Sequence, residues 1–452
     1  MTVWVRPLCL AALVVTAAAC DEQTPTGELP ETLDVQLRRN IGQYGVVPIA
    51  AMARQDPALV TLGQALMFDK VLSGNRDISC GTCHDPTLHL TDGLPLPVGT
   101  GGTGSGAART LGPGRSFVPR NAPSLVNSAI GLFYVFWDGR LNQFGPQGPL
   151  QLPDVVLPFD LPNVLAAQAF LPILNRREMR GEPGDVDVFG NPNELAQFAD
   201  TQAAEIWQAV TRRLFATPGY PELFRAAFPY LPSSSFTFRE AAIAIAAFQM
   251  DALMRTNSPF DRYLRRDDNA LSVEAKRGGV LFFGEARCSS CHNGPLLGGQ
   301  QFANTGVPQL GPGVGAAAPL DLGRGGLVNN EFYQFAFRVP PLRNVELTAP
   351  YFHNGSFPTL ESVVAHYNDV SRSLRSFDPA TLPAALRDSY HGEQATIDSV
   401  IQHLDSRLRE PLRLTEAQQR DLVAFLKALT DPAARDLSGI IPASVPSGLS
   451  IR

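Results

Sequence analysis

Cysteine is scarce in this chain, and long apolar runs are scarcer still. Of its six cysteines, Cys9 and Cys20 lie in the first twenty residues; the rest form two close pairs, Cys80 with Cys83 and Cys288 with Cys291. A disulfide in either pair would not need the histidine that follows at once, His84 or His292. Beyond the first twenty residues no stretch is long and apolar enough to span a bilayer, which excludes a membrane-spanning body. The net charge of −6 comes without basic runs, so nucleic acid is not an expected partner. Methionine stops at Met254, and the last part of the chain therefore offers no thioether.

The opening segment, "MTVWVRPLCLAALVVTAAAC", has one arginine, an apolar run from Leu8 and small residues up to Cys20. Such a stretch is too short to span a membrane and predicts a secretion signal over 1–20. Ala17-Ala18-Ala19 serves as a plain cleavage site, or Cys20 is the lipidated first residue of a lipoprotein, although Ala17 stands where leucine is usual. In either case the polar run that follows predicts a tether over 21–45. The expected location is the periplasm, free or held by a lipid at Cys20.

What is present is the pentapeptide C-x-x-C-H, twice: "CGTCH" at 80–84 and "CSSCH" at 288–292. It is the attachment signal for c-type haem. Two thiols one helical turn apart each form a thioether with a vinyl group on one porphyrin edge, and the adjacent imidazole meets the iron from the same side. A redox dithiol or half of a zinc site would explain one copy. Two copies, each with its histidine, in an exported chain favour two covalent haems.

The flanks repeat weakly as well. "LGQALMFDKVLSGNRDISCGTCH" and "RGGVLFFGEARCSSCH" each place Gly-x-x-Leu-x-Phe before the pentapeptide. The expected fold is mainly α: two cytochrome c-like helical domains, each built around a covalent haem, with long loop insertions. The first spans 46–256 and the second 257–431, with a loose tail at 432–452. Thr415 and Gln418 form a capping box for a last helix bearing Leu422, Phe425, Leu426 and Leu429 on one face, expected to cover the second haem. A long helix is expected to end near Thr256-Asn257-Ser258-Pro259. Gly/Pro-rich insertions fall at 92–120, 141–163 and 306–326. The first contains a literal G-x-G-x-x-G at 99–104, which follows no strand, opens no helix and reads as flexible loop.

Around these motifs the chain resembles the bacterial di-haem cytochrome c peroxidase and MauG family, from roughly Leu62 to Thr430. The likeness rests on "CGTCHDP", "RNAPSLVN", "FWDGR", "FDRYL", "CSSCHNG", "FRVPPLRNVELTAPYFHNG" and "TLESVVAHYND", in the family's order. It implies that peroxide reacts at the first haem and that the second passes electrons in. Trp137 matches the tryptophan between the haems; its residues alone leave it a core aromatic. "QAFLPILNRREM" supplies the family's peroxide-pocket pattern as Gln168, Pro172 and Glu178, after an insertion following Arg140. Heterolysis of HOOH requires a base that takes one proton and returns it to the leaving oxygen, and Gln168 can orient the reactants by hydrogen bonds. Without the resemblance Glu178 is a solvated charge beside three arginines. The resemblance also implies a calcium ion on the Asn121 side chain and the carbonyls of Thr348 and Pro350.

The chain departs from the family pattern twice. Many relatives cap the first haem with a histidine from the loop between the first pentapeptide and "RNAP". Here the only histidine there is His89, too close to His84 to swing to the far haem face, so the first haem is expected to stand open. The second haem's methionine ligand is replaced by Tyr367, as in MauG, with His366 as the competing candidate. The expected function is a periplasmic peroxidase reducing hydrogen peroxide with electrons from a small cytochrome c or cupredoxin, and a homodimer is the assembly considered. The rivals are a MauG-like oxidase acting on a partner protein and a non-catalytic di-haem electron carrier. Ala286 stands where MauG carries the surface tryptophan of its oxidation route, which counts against that route here.

Overall fold

Helices form where apolar residues recur at helical spacing, and many, such as Pro57–Phe68 on Asp56 and Val273–Phe282 on Ser272, open on a polar side chain that caps the first turn. They are α1 (Leu33–Gly42), α2 (Pro57–Phe68), α3 (Cys80–Cys83), α4 (Val164–Gln168), α5 (Ala203–Ala216), α6 (Tyr220–Ala227), α7 (Phe238–Ala252), α8 (Pro259–Leu264), α9 (Val273–Phe282), α10 (Arg324–Val328), α11 (Leu360–Asn368), α12 (Val370–Arg375), α13 (Ala384–Arg387), α14 (Gln394–Gln402) and α15 (Glu416–Lys427). This computed structural model describes residues 1–2, 31–130, 133–143, 150–152, 155–157 and 160–451. The signal expected over 1–20, with Cys9 and Cys20, lies outside them apart from its first two residues. The fold is mainly α, as expected. Its strands are short: β1 (Tyr134–Val135), β2 (Leu141–Gln143) and β3 (Leu150–Gln151) form an antiparallel meander, and β4 (Phe302–Ala303) pairs antiparallel with β5 (Phe337–Arg338).

The predicted cap forms, and a second is found on α11. Thr415 and Gln418 exchange hydrogen bonds at the start of α15 (2.9 and 3.3 Å), and Thr359 caps α11. Helix α7 ends earlier than expected, at Ala252. Asn127 is the cause: its amide bonds the Leu253 carbonyl, and its side chain exchanges bonds with the backbone of Arg255 (2.8 and 2.7 Å). These bonds take over the groups a continuing helix would need.

Two large apolar cores result. The first gathers Leu62 and Leu66 of α2, Val210 of α5, Phe224 of α6 and Ile245 of α7. The second gathers Phe260 of α8, Phe282 of α9, Val364 of α11 and Phe425 of α15. The weak sequence repeat becomes a repeat of helix crossings. A Cβ on Gly63 would stand 1.9 Å from the Ala244 carbonyl oxygen, and one on Gly278 would stand 1.9 Å from that of Asp421. Beside each crossing an aromatic pair meets edge to face, Phe68 on Phe248 and Phe283 on Phe425. Only glycine lets either helix pair approach this closely.

The chain ends are crossed between these cores. Leu37 and Ile41 of α1 are buried in the second core, so the stretch expected as a tether ends in a packed helix. The expected loose tail is also corrected. Leu437 and Val445 are buried with Met67, Phe68 and Phe248, and Ser447 bonds the buried Asp69 through its amide and its hydroxyl (3.1 and 2.6 Å). Apolar residues at the far end of the chain thus complete a core begun near its start.

Candidate active site

Cys80 and Cys83 occupy the single turn of α3, and the His84 amide closes it on the Cys80 carbonyl at 2.9 Å. The ring Nδ1 of His84 lies 3.0 Å from the Leu90 carbonyl. A carbonyl only accepts, so Nδ1 carries the proton and the lone pair is left on Nε2. Burial lowers the imidazole's affinity for a second proton, and the carbonyl of Pro123 also lies against the ring. The second motif repeats each feature. His292 closes its turn on Cys288 at 2.9 Å, sets Nδ1 3.0 Å from the Leu297 carbonyl and meets Pro340, and burial pushes it down to about 4. Leu90 and Leu297 both take left-handed backbone (φ 62° and 55°), a conformation that costs a non-glycine residue roughly 1–3 kcal/mol. The same irregularity at both sites aims a carbonyl at each imidazole.

These donors fit covalently attached haem. The four thiols are free and partly accessible. Burial pushes Cys80 up to about 11 and Cys288 up to about 12, the opposite of the depressed thiol that a redox dithiol needs. Among the described residues no group of three His, Cys, Asp or Glu is placed to hold a metal ion.

Glu178 sits on a π-helical turn, Arg176–Arg180, beyond α4 and the turn opened by Pro172. Burial pushes its carboxyl up to about 7, against the pull of the Arg140 cation and a 2.8 Å hydrogen bond from Asn175. Its charge acts on both Cys80 and Cys83, so it lies near the first motif, half-buried rather than free in solvent. Gln168 is the last residue of α4, whose preceding residues belong to the core against which Cys80 and Cys83 pack. Arg140 and Asn175 were not singled out in the sequence. Arg140 closes the "FWDGR" motif, which is the signal that could have found it.

Trp137 joins the two sides. Its indole N–H donates to the Asn121 carbonyl at 2.9 Å, and its own carbonyl accepts from the Arg338 amide at 2.7 Å. Asn121 is two residues before Pro123, and Arg338 is two residues before Pro340. The tryptophan is therefore strung between the segments that touch His84 and His292. His353 meets it edge on (6.4 Å between centroids) and returns a carbonyl to the Asn121 amide at 2.7 Å. The Asn121 side-chain NH₂ is spent on the Leu94 and Pro95 carbonyls, leaving its oxygen as the other face; Thr348 and Pro350 precede His353 in its loop.

On α11, His366 and Tyr367 separate. His366 is 1% exposed, and both its ring nitrogens are occupied, Nδ1 by Ser373 Oγ at 2.9 Å and Nε2 by the Thr305 carbonyl at 2.8 Å. Tyr367 lies near the second motif: burial pushes its phenol up, Cys291 and Cys288 push it further, and a hydrogen bond from the Thr305 side chain pulls it back. His89 is turned away from the first site, with Nδ1 3.0 Å from the Ala434 carbonyl. Ala286 is buried.

A family model described as di-haem cytochrome c peroxidase matches residues 57–269, and one described as RoxA-like, cytochrome c-like matches 336–369. The methylamine utilization protein MauG of Methylorubrum extorquens is 29% identical over 95% of this chain and 95% of its own. The cytochrome c551 peroxidase of Pseudomonas aeruginosa is 33% identical over 75% of this chain and 80% of its own. Among solved structures, a MauG-like protein associated with microbial copper homeostasis superimposes with a TM-score of 0.59 at 24% identity, covering 88% of this chain and 96% of that one. The diheme peroxidase BthA of Burkholderia thailandensis gives 0.57 at 23%, covering 89% and 92%; both likenesses show the fold. Sequence, fold and paired C-x-x-C-H sites agree that the chain belongs to the di-haem cytochrome c peroxidase and MauG family, is an oxidoreductase of the cytochrome c peroxidase type, and by that membership carries two c-type haems.

Proposed function

We propose that this enzyme reduces hydrogen peroxide to water at the first haem, with electrons taken from a small cytochrome c or cupredoxin and relayed by the second. The observation that carries the reading is Glu178: a carboxyl brought to the Cys80–Cys83 motif and tuned by burial to about 7. The haem at that motif supplies the site where the O–O bond is reduced. Reduction to two waters consumes two electrons and two protons. Glu178 moves a proton from the near peroxide oxygen to the leaving one, which needs a group that both takes and gives a proton near neutrality. Gln168 orients the peroxide, and Pro172 shapes the turn between them. Trp137 couples the two haems through its bonds to the Asn121 and Arg338 segments. A carrier without chemistry would have no use for a carboxyl so placed.

Tyr367 is the sixth ligand proposed for the second iron, since both ring nitrogens of His366 are occupied. A phenolate favours the oxidised metal, where methionine would raise the potential. This supports a second reading, a MauG-like oxidase that draws electrons from a partner protein. Calcium at Asn121, Thr348 and Pro350, a division between two haem domains at 256–257, export to the periplasm and a lipid at Cys20 belong to the proposal too. Peroxide turnover with reduced cytochrome c, run against a screen for covalently altered partner proteins, separates the two readings. Turnover without altered partners supports the peroxidase; the reverse supports the oxidase.

A further inference from the structure

The turn that carries Glu178 is gripped from outside itself. Within it, the amides of Met179 and Arg180 both return to the Asn175 carbonyl (3.1 and 3.0 Å), and the Gly181 amide returns to Arg176 (3.1 Å). The next carbonyls are taken by distant segments. The Thr100 amide donates to Glu178 at 2.8 Å, the Gly74 amide to Met179 at 2.7 Å, and the Asn193 side chain to Arg180 at 2.7 Å. Gly99 approaches so closely that a Cβ there would stand 1.9 Å from the Arg177 carbonyl oxygen and 2.6 Å from that of Glu178.

The gripping loop is itself anchored. The Thr100 hydroxyl and the Gly101 amide donate to the two carboxylate oxygens of Asp77, at 2.7 and 2.6 Å. Asp77 stands three residues before Cys80. Arg109 ties the loop further through the Val98 and Gly99 carbonyls, both at 2.8 Å. The 99–104 stretch is therefore not a flexible loop. With the Thr100 and Gly101 amides committed to Glu178 and Asp77, it is not a phosphate cradle either.

We propose that the 99–104 loop, with Asp77, is a clamp that holds Glu178 in register with the first haem-attachment segment, making Gly99, Thr100 and Asp77 positioning residues for peroxide cleavage. The inference rests on Glu178 being the proton carrier. Asp77 links the haem-bearing turn to the loop, and the loop links to the backbone of Glu178, so the distance between base and haem is set by three short hydrogen bonds and one glycine contact. Proton transfer is sensitive to that distance, since a displacement of about 1 Å can cost roughly 100-fold in rate.

The test uses holoenzyme with both haems confirmed by intact mass, and follows the ferric enzyme reacting with hydrogen peroxide by stopped flow across pH. Asp77→Asn keeps the side chain's size and is the main variant; Gly99→Ala is the severe one. Asp77→Asn should slow the reaction roughly 10-fold to 100-fold and displace the midpoint of its pH profile. Placed on Glu178→Gln, the same change should cost less than about twofold, because residues acting through one group are non-additive. Equal slowing in both backgrounds, or a wild-type rate and pH profile in Asp77→Asn, overturns the clamp. If Glu178→Gln alone leaves the rate unchanged, the proton-carrier reading falls and the clamp falls with it.

Discussion

Arg140 holds Asp138 with three hydrogen bonds of 2.6 to 3.0 Å while its charge still acts on Glu178. Asp138 is shared with Arg120, which also reaches Asp321. Despite its burial, these two cations hold Asp138 well below the usual carboxylate range. The same Arg140 cation favours the ionised form of Glu178. Glu178 is a base only when ionised, and ionisation proceeds as pH rises through about 7. The rate of peroxide cleavage should therefore climb with pH through that midpoint. Arg140→Met removes a cation that favours the carboxylate and should move the midpoint upward. Glu178→Gln should abolish the ionisation and slow the reaction by roughly 100-fold or more. A stopped-flow pH profile checks all three.

Each C-x-x-C-H turn should carry one covalent haem. Intact mass after maturation in a c-haem-competent periplasm should show two. Replacing Cys80 and Cys83 together by alanine should remove one and leave the other.

The first haem should be ready without prior reduction, since His89 is held on the Ala434 carbonyl and no other histidine lies between Leu90 and Asn121. Fully oxidised enzyme should consume peroxide at once and show a high-spin ferric signal. His89→Ala should change neither. A requirement for reducing the second haem first would reveal another capping ligand.

Adjacent helical residues point about 100° apart, and on α11 the two directions are used differently. Tyr367→Phe should turn the second haem's low-spin spectrum high-spin. His366→Ala should leave the ligand in place while costing stability of order 1–3 kcal/mol, because the hydroxyl of Ser373 and the carbonyl of Thr305 lose their buried partner. Optical and paramagnetic resonance spectra of the two variants decide the assignment.

Gly278→Ala should destabilise the protein by roughly 1–3 kcal/mol, because its Cβ has no room against the Asp421 carbonyl and the helix pair must separate. Thermal unfolding of the holoprotein measures this. Gly63→Ala should behave alike, since it meets the Ala244 carbonyl in the same way.

What was legible in the sequence was local. Five residues define each haem motif, and Thr415 with Gln418 defines the cap of α15, so both could be read without knowing the fold. Glu178 could be assigned only by resemblance. Its environment comes from packing across the chain, and the backbone of its turn, Glu178 to Arg180, is held by Thr100, Gly74 and Asn193, which no spacing rule connects. The 99–104 glycines read as freedom, yet Gly99 is there because backbone must approach backbone. The tail from Pro432 read as loose, and nothing nearby shows that Leu437 and Val445 fill a gap beside Phe68. Periodicity placed His366 and Tyr367 on one helix, but only the positions of Ser373, Thr305 and the Cys288–Cys291 pair distinguish them.

The crossed ends impose an order of events on synthesis. Gln64 on α2 donates to the Ile440 carbonyl, 376 residues later in the chain, so the first core acquires these contacts only after both haem motifs have been made. Until then Phe68, directly behind the Cys80–Cys83 turn, lacks its covering of Leu437 and Val445. The nascent chain thus keeps one flank of its first attachment site open until the segment bearing Leu437 and Val445 arrives to close it. A fragment stopped before Leu437 keeps both C-x-x-C-H motifs but lacks this closure. Separately expressed halves would each be missing the end that the other supplies.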